Sequence, residues 1–356
     1  MFLDRFERAR VYLDSGRPRE ALFILRKNSD AQVPSIFRAE RDYLRGESFR
    51  ALGFFSAAIN NHQKALREKA GLDPVLNIDI FLALAACLRS LGRTDEAAGY
   101  CRRAMALENG LKLRSKLEWA LIERARGKLS LSLRLLFSLK RRFSIAGALE
   151  ELCFVFWALG GAYRLKGAYQ LSSKSFLKSL SLAGRLKDSQ AQAYARCGLG
   201  GTERMRGNLA GSEDNYREAG ILFGKTQDLF GLAYARCGLA NAFRRRHRYD
   251  EALELYRLAY RLYRRLGDRV DLGYVEWGIG ETHRQCGRLK EAEKWFERAW
   301  MDFSGFNEAR GQVLSQLSLA SVGYAMGRTA QSERLFKKAY ATARRAGLHT
   351  HLEVFT

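Results

Sequence analysis

Residues 156–179 read FWALGGAYRLKGAYQLSSKSFLKS, and residues 236–259 read RCGLANAFRRRHRYDEALELYRLA. In each, a small or turn-forming residue, Gly167 or His247, separates two stretches with helical apolar spacing. Working outward, the same separator recurs as Gly16, Gly53, Gly92, Gly127, Gly167, Gly207, His247, Gly287 and Gly327. Five residues later stand Ala21, Ala58, Ala97, Ser132, Ser172, Ser212, Ala252, Ala292 and Ser332. Seven residues earlier stand Ala9, Gly46, Ala85, Ala120, Gly160, Gly200, Ala240, Gly280 and Ala320. Both columns are small in every copy, which is what two antiparallel helices need to approach at the short end of the usual ~8–10 Å separation. Nine positions after the separator a bulky residue returns, most clearly Phe176, Tyr216, Tyr256, Phe296 and Phe336, so that notch and knob alternate; His62 occupies the same column.

This pattern resembles the tetratricopeptide repeat. Residues 156–179 supply its Phe156, Leu159, Gly160, Tyr163, Gly167, Tyr169, Ser172, Phe176 and Ser179, with serine in place of the two family alanines. Residues 236–259 supply Leu239, Ala240, Phe243, Tyr249, Ala252, Tyr256 and Ala259, with Arg236 and His247 as departures. The period settles at 40 residues after irregular early spacings of 37, 39 and 35. A longer repeat of this kind is similar to those of kinesin light chains and spindle-orientation adaptors. The resemblance implies an all-α, right-handed α-solenoid of about nine helix pairs and a function in recognition rather than catalysis.

The expected organisation is one solenoid over 1–346, with repeats near 1–29, 33–70, 74–108, 111–143, 147–184, 188–224, 228–266, 268–304 and 308–346, and a tail over 347–356. Pro18, Pro34 and Pro74 mark helix starts, where a missing N–H costs little. Later junctions carry Asp188, Asp228, Asp268 and Glu308, whose carboxylates can accept from the free N–H groups of the next helix.

Composition suits a folded helical chain: 47% of residues are apolar and only three are proline. The net charge of +23 draws acidic partners or polyanions toward the surface. No run approaches the roughly 20 apolar residues of a membrane span, and the N-terminus reads as an amphipathic helix rather than a signal peptide. The six cysteines, scattered without a Cys-x-x-Cys pair, are expected to be reduced thiols of a cytoplasmic protein. Neither cofactor nor metal is expected, since the histidines do not pair with cysteines or acids at ligand spacing; His349 and His351 near the end are the weakest exception.

One column carries the functional expectation. Arg50, Arg89, Arg124, Arg164, Arg204, Arg244 and Arg284 occupy equivalent positions three residues before the separator, with Leu13 and Tyr324 in the first and last copies. On a helical wheel they fall on a shoulder of the buried face, toward the side that lines the inner groove of tetratricopeptide proteins. Ten residues before the arginine stand Phe154, Tyr194, Tyr234 and Tyr274; seven before stand Trp157, Cys197, Cys237 and Trp277. Guanidiniums ~10 Å apart repel by roughly 0.4 kcal/mol in water and about 1.7 kcal/mol at an effective dielectric of 20. Glu47, Glu123, Glu203 and Glu281 are close enough in sequence to offset some of this, whereas Arg89, Arg164 and Arg244 have no acid within four residues. The expected site is therefore a basic, aromatic groove built from the seven arginines, Tyr194, Tyr234, Tyr274, Trp157, Trp277 and Asn241. Its expected occupant is an acidic peptide or protein segment, and single-stranded nucleic acid is the alternative, because arginine beside aromatic rings also suits stacked bases.

Overall fold

A computed structural model of the protein describes residues 2–26, 33–68, 70, 72–110, 112–306, 308–346 and 348. Among these residues the regular elements are all helices, eighteen in number and taken in consecutive pairs. They are α1 (Phe2–Asp14) and α2 (Pro18–Arg26); α3 (Ser35–Ala51) and α4 (Phe55–Arg67); α5 (Pro74–Ser90) and α6 (Thr94–Leu107); α7 (Leu113–Ala125) and α8 (Leu129–Ala146); α9 (Leu149–Leu165) and α10 (Tyr169–Arg185). Then follow α11 (Ser189–Met205) and α12 (Leu209–Thr226); α13 (Leu229–Arg245) and α14 (Tyr249–Leu266); α15 (Arg269–Gln285) and α16 (Leu289–Gly305); α17 (Ala309–Ala325) and α18 (Thr329–Arg345). The fold is an all-α solenoid of helix pairs. The expected tail 347–356 with His349 and His351 lies outside the described residues, apart from Leu348, as do residues 27–29 of the first expected repeat.

The separator column is where each pair turns. All nine separators have positive φ, between +60° and +84°. Glycine adopts this left-handed conformation without penalty, and eight of the nine are glycine. His247 does so at φ +60°, its Nδ1 held 2.7 Å from the Tyr249 hydroxyl. The next helix starts are fixed by the junction acids. Asp188, Asp228 and Asp268 accept from the backbone N–H groups of Ala191, Gly231 and Asp271 at 2.8–3.0 Å, and Glu308 accepts from Gly311. Such caps contribute about 1 kcal/mol each. Pro74 opens α5 behind the capping Asp73, Pro18 opens α2, and Pro34 stands at the cap position just before α3.

Notch and knob meet as the columns require. A Cβ on Gly160 would stand 2.8 Å from the Phe176 ring, one on Gly200 2.9 Å from Tyr216, and one on Gly280 2.7 Å from Phe296. His62 is fully buried against Gly46 and its Nε2 lies 3.3 Å from Glu47. Phe336 departs from the column: it is 56% exposed, because no described residue covers that face of α18.

Close packing divides the chain into two compact units. The first comprises Met1–Ala162, Lys174–Ala195 and Ile221–Gly231. Its main core gathers Phe55, Ile59, Ile80, Leu84, Leu88 and Ile122, and Phe230 packs on it with its ring edge-on to Phe55 at 5.0 Å. The second comprises Tyr163–Ser173, Arg196–Gly220 and Leu232–Thr356, with a core around Trp277, Phe296, Phe303, Leu314 and Val322.

Candidate functional site

Each arginine of the column sits in the last turn of the first helix of its pair, and its carbonyl accepts from the separator's N–H at 3.0–3.2 Å. The side chains, however, have different fates. In the first unit Arg50 is paired with Glu47 at 2.5 Å, and Arg89 with Glu118 at 2.7 Å. Glu118 belongs to the following pair, 29 residues away. Arg124 extends onto the next helix, donating to the Ala158 carbonyl at 3.3 Å and lying 4.9 Å above the Trp157 ring. A Cβ on Gly161 would stand 2.6 Å from its Nη1, so that glycine is the groove in which the guanidinium lies.

In the second unit Arg284 is held by Glu281 at 2.9 Å. The three arginines before it are arranged differently. Arg164 repeats the Arg124 geometry, with Nη1 2.1 Å from where a Gly201 Cβ would be. Burial works against its charge, but the phenolic oxygens of Tyr234, which accepts a hydrogen bond from it, and of Tyr216 hold it above the ordinary arginine range. Arg204 is pulled below that range by burial, with Arg244 and Arg164 repelling it and Tyr216 and Tyr256 partly compensating. Arg244 is only 2% exposed, lies 5.7 Å from the Trp277 ring and is hydrogen-bonded to Tyr256. All three stay charged, since guanidinium deprotonation lies far above neutral pH. Three interacting cations are thus clothed in phenols, and no carboxylate stands among the leading influences on Arg164 or Arg204.

The acids near in sequence do not serve this row. Glu203 is engaged by Arg206 at 3.1 Å, Asn208 and Ser173, and Glu123 by Arg126 and Lys128. The basic cluster after Arg244 is likewise structural in part: Arg246 and Arg248 converge on Glu213 at 2.8 and 3.4 Å.

The aromatic residues divide between the two units. Half-buried Trp157 stacks on Phe154 at 5.4 Å in the first, where Tyr194 donates to the capping Asp228 at 2.7 Å. In the second, Tyr234 serves Arg164, Tyr274 bonds to Glu308 and sits edge-on to Phe303, and Trp277 is buried with its indole N–H donated to Ser318 at 3.0 Å. Asn241 accepts from the Tyr256 hydroxyl at 2.8 Å and donates to the Cys237 carbonyl. Cys197 is buried, and burial pushes the Cys237 thiol up to about 12, so Cys237 offers no thiolate. Sequence reasoning missed Tyr216 and Tyr256, which it treated as packing knobs. The available signal was the hydroxyl: the same column carries Phe176 and Phe296 in the flanking repeats and tyrosine only beside the buried cations.

Among the described residues no helix is long and apolar enough to cross a membrane, and no cluster of three or more His, Cys, Asp or Glu could hold a metal ion.

Family models for the tetratricopeptide repeat match residues 231–299 and 80–115. Together with the helix pairs and their columns, these matches show that the chain carries tetratricopeptide repeats. Comparison with curated proteins finds no match. Several solved structures share the fold over nearly their whole length. A Rap protein complexed with competence and sporulation factor is 10% identical, with a TM-score of 0.70 and coverage of 97% of this chain and 98% of that one. Aspartyl phosphate phosphatase F from Bacillus subtilis is 10% identical at a TM-score of 0.58, with coverage of 96% and 94%. The apo form of RapI is 12% identical at 0.54, with coverage of 98% and 99%.

Proposed function

We propose that the chain is a non-catalytic recognition scaffold, cytoplasmic like many proteins with free thiols, whose second unit takes an acidic segment of a partner protein on Arg164 and Arg204, with the buried Arg244 adding its charge from behind. The observation that carries this reading is that successive repeats stack Arg164 against Gly201, Arg204 after it and Arg244 beside Trp277 in one phenol-lined row, where burial and the neighbouring guanidiniums bear on Arg204. A carboxylate placed on Arg204 relieves both the repulsion and the burial cost, and the planar guanidinium can hold it with two parallel hydrogen bonds. Tyr216 and Tyr256, both buried, orient the cations, and half-buried Tyr234 presents ring surface to the segment's apolar side chains. The solved Rap protein that holds competence and sporulation factor offers a precedent, on the same fold, for binding a second component.

The test is titration of the purified chain with a synthetic peptide rich in Glu and Asp and containing aromatic residues, beside a single-stranded RNA of equal charge, over a series of salt concentrations. The peptide is expected to bind saturably with a shallow salt dependence. Preferential RNA binding whose affinity falls log-linearly with salt would replace the protein partner by nucleic acid. Because one structural neighbour is a phosphatase, hydrolysis of an aspartyl phosphate by this chain, lost on changing one of its side chains, would overturn the non-catalytic part.

A further inference from the structure

The outer stripe of α14, in the second unit, divides its charges by sign. Asp250 and Glu254 stand one turn apart in its first half, and Arg257 and Arg261 one turn apart beyond them. At about 100° per residue the four fall within an arc of about 60°. All are exposed, and with Glu251 and Leu258 they line one shallow depression. Acids opening a helix and bases closing it suit its dipole, which accounts for Asp250 at the start and for Arg264 and Arg265 at the end. That influence fades within a turn of either end, so it leaves Glu254, Arg257 and Arg261 unexplained. Nor do the charges answer to one another. Glu254 and Arg257 are close enough in sequence to meet, yet among the described residues none of the four forms an ion pair, whereas Glu251 beside them is bound by Arg248.

A stripe ordered acid, acid, base, base is complementary to itself read backwards. A two-fold axis that crosses α14 at right angles, level with the midpoint between Glu254 and Arg257, lays the same helix of a second copy antiparallel on the first. Asp250 of each copy then stands opposite Arg261 of the other, and Glu254 opposite Arg257. The neighbouring helix obeys the same axis. Tyr260 of α14 meets Trp295 of α16 edge-on at 5.9 Å. Forty residues on from Glu254 and Arg257, α16 carries Lys294 and Glu297, both exposed and with the signs exchanged. The axis sets Lys294, which also reaches Glu291 on its own helix, opposite Glu297 of the other copy.

We propose that the outer face of α14 and α16 is an interaction surface for a second copy of this chain, joined antiparallel through these reciprocal ion pairs. Exposed pairs contribute little singly, so the dimer is weak and its register rests on all of them together. The charge of +23 on each copy opposes the approach from a distance. At ~0.15 M salt that repulsion is screened beyond about 8 Å while charges in contact still attract, so the pairing is expected at that salt.

The test is sedimentation velocity of the full chain at ~0.15 M salt, over protein concentrations from about 10 µM to about 1 mM, the range of a small exposed interface. A concentration-dependent shift from monomer to dimer is expected. Asp250→Arg with Glu254→Arg makes the stripe wholly basic, and Arg257→Glu with Arg261→Glu makes it wholly acidic. Each double variant alone should self-associate at least about tenfold more weakly, because like charges then face each other. An equimolar mixture of the two should form a dimer at least as tight as the original. The substituted positions are exposed, so both variants should melt within about 3 °C of the unaltered chain. Lys294→Glu on the other helix should also weaken the dimer, and adding Glu297→Lys to it should restore the original affinity. A chain that stays monomeric throughout, double variants that self-associate undiminished, or a mixture that fails to restore the dimer would overturn the proposal.

Discussion

The guanidinium of Arg164 lies against the backbone of Gly201 on the next repeat's helix, its Nη1 2.1 Å from where a Cβ would stand. Gly201→Ala must therefore displace the cation. The far end of an arginine can move, and alanine returns up to about 1 kcal/mol of helix propensity, so net stability should change by less than about 1 kcal/mol. Affinity for the acidic peptide should nevertheless fall about tenfold, the equivalent of one charged hydrogen bond. Calorimetric binding and melting on the same sample check both parts.

Gly238→Ala probes the same row from its tyrosine side and should behave in the opposite way. Its Cβ would stand 2.1 Å from the ring of Tyr216, which is itself 4% exposed and already wedged against Gly200. A rigid ring cannot retreat as a guanidinium can. The overpacking should cost about 1–3 kcal/mol, seen as a lowered chemical-denaturation midpoint.

Acids in the second unit should make its stability depend on pH. Burial and the neighbouring Asp302 hold Glu276 up at about 7, and burial holds Asp268 up at about 6. Their folded values lie above the unfolded ones of about 4, so their contribution is fully present below pH 4 and is lost as pH rises through 6 to 7. The melting temperature should fall between pH 5 and pH 8. Glu276→Gln keeps the shape without the charge. It should flatten the fall and leave the variant the more stable form at pH 8.

In the first unit Phe230 reaches a turn far away in sequence: a Cβ on Gly53 would lie 2.5 Å from the Phe230 Cβ, and the ring meets Phe55 edge-on. Phe230→Ala should cost about 2–3 kcal/mol, less than the roughly 3–5 kcal/mol of a fully enclosed ring, because Phe230 is only partly buried. Faster amide exchange in both α4 and α13 would show that the contact joins them; loss confined to α13 would show that it does not.

Local geometry was the part of this protein readable from its sequence. A separator that must turn left-handed, a notch that must be small and an acid that must cap a helix each answer to neighbours a few residues away, and the 40-residue period repeats the answer. Even His247, which breaks the glycine column, turns as its column demands. The environment of the arginines was not readable in the same way. Glu118 comes to Arg89 from the following helix pair, while Glu203, next to Arg204 in sequence, is engaged by Arg206 and Asn208. Which carboxylate meets which guanidinium depends on packing between pairs, and helical spacing within one pair does not encode it. The same holds for Trp277, whose burial against Ser318 depends on α17.

The most direct measurement is the side-chain Nε–H spectrum of the arginines, assigned by substitution and followed as the acidic aromatic peptide is added. Saturable shifts of Arg164, Arg204 and Arg244, with Arg50, Arg89 and Arg284 unmoved in their carboxylate pairs, are the predicted result; Arg204→Ala with Arg244→Ala should then weaken binding at least about tenfold. A peptide that binds without moving those three resonances, or a double variant that melts earlier but binds as before, would contradict it and leave the row as a purely structural clamp between repeats.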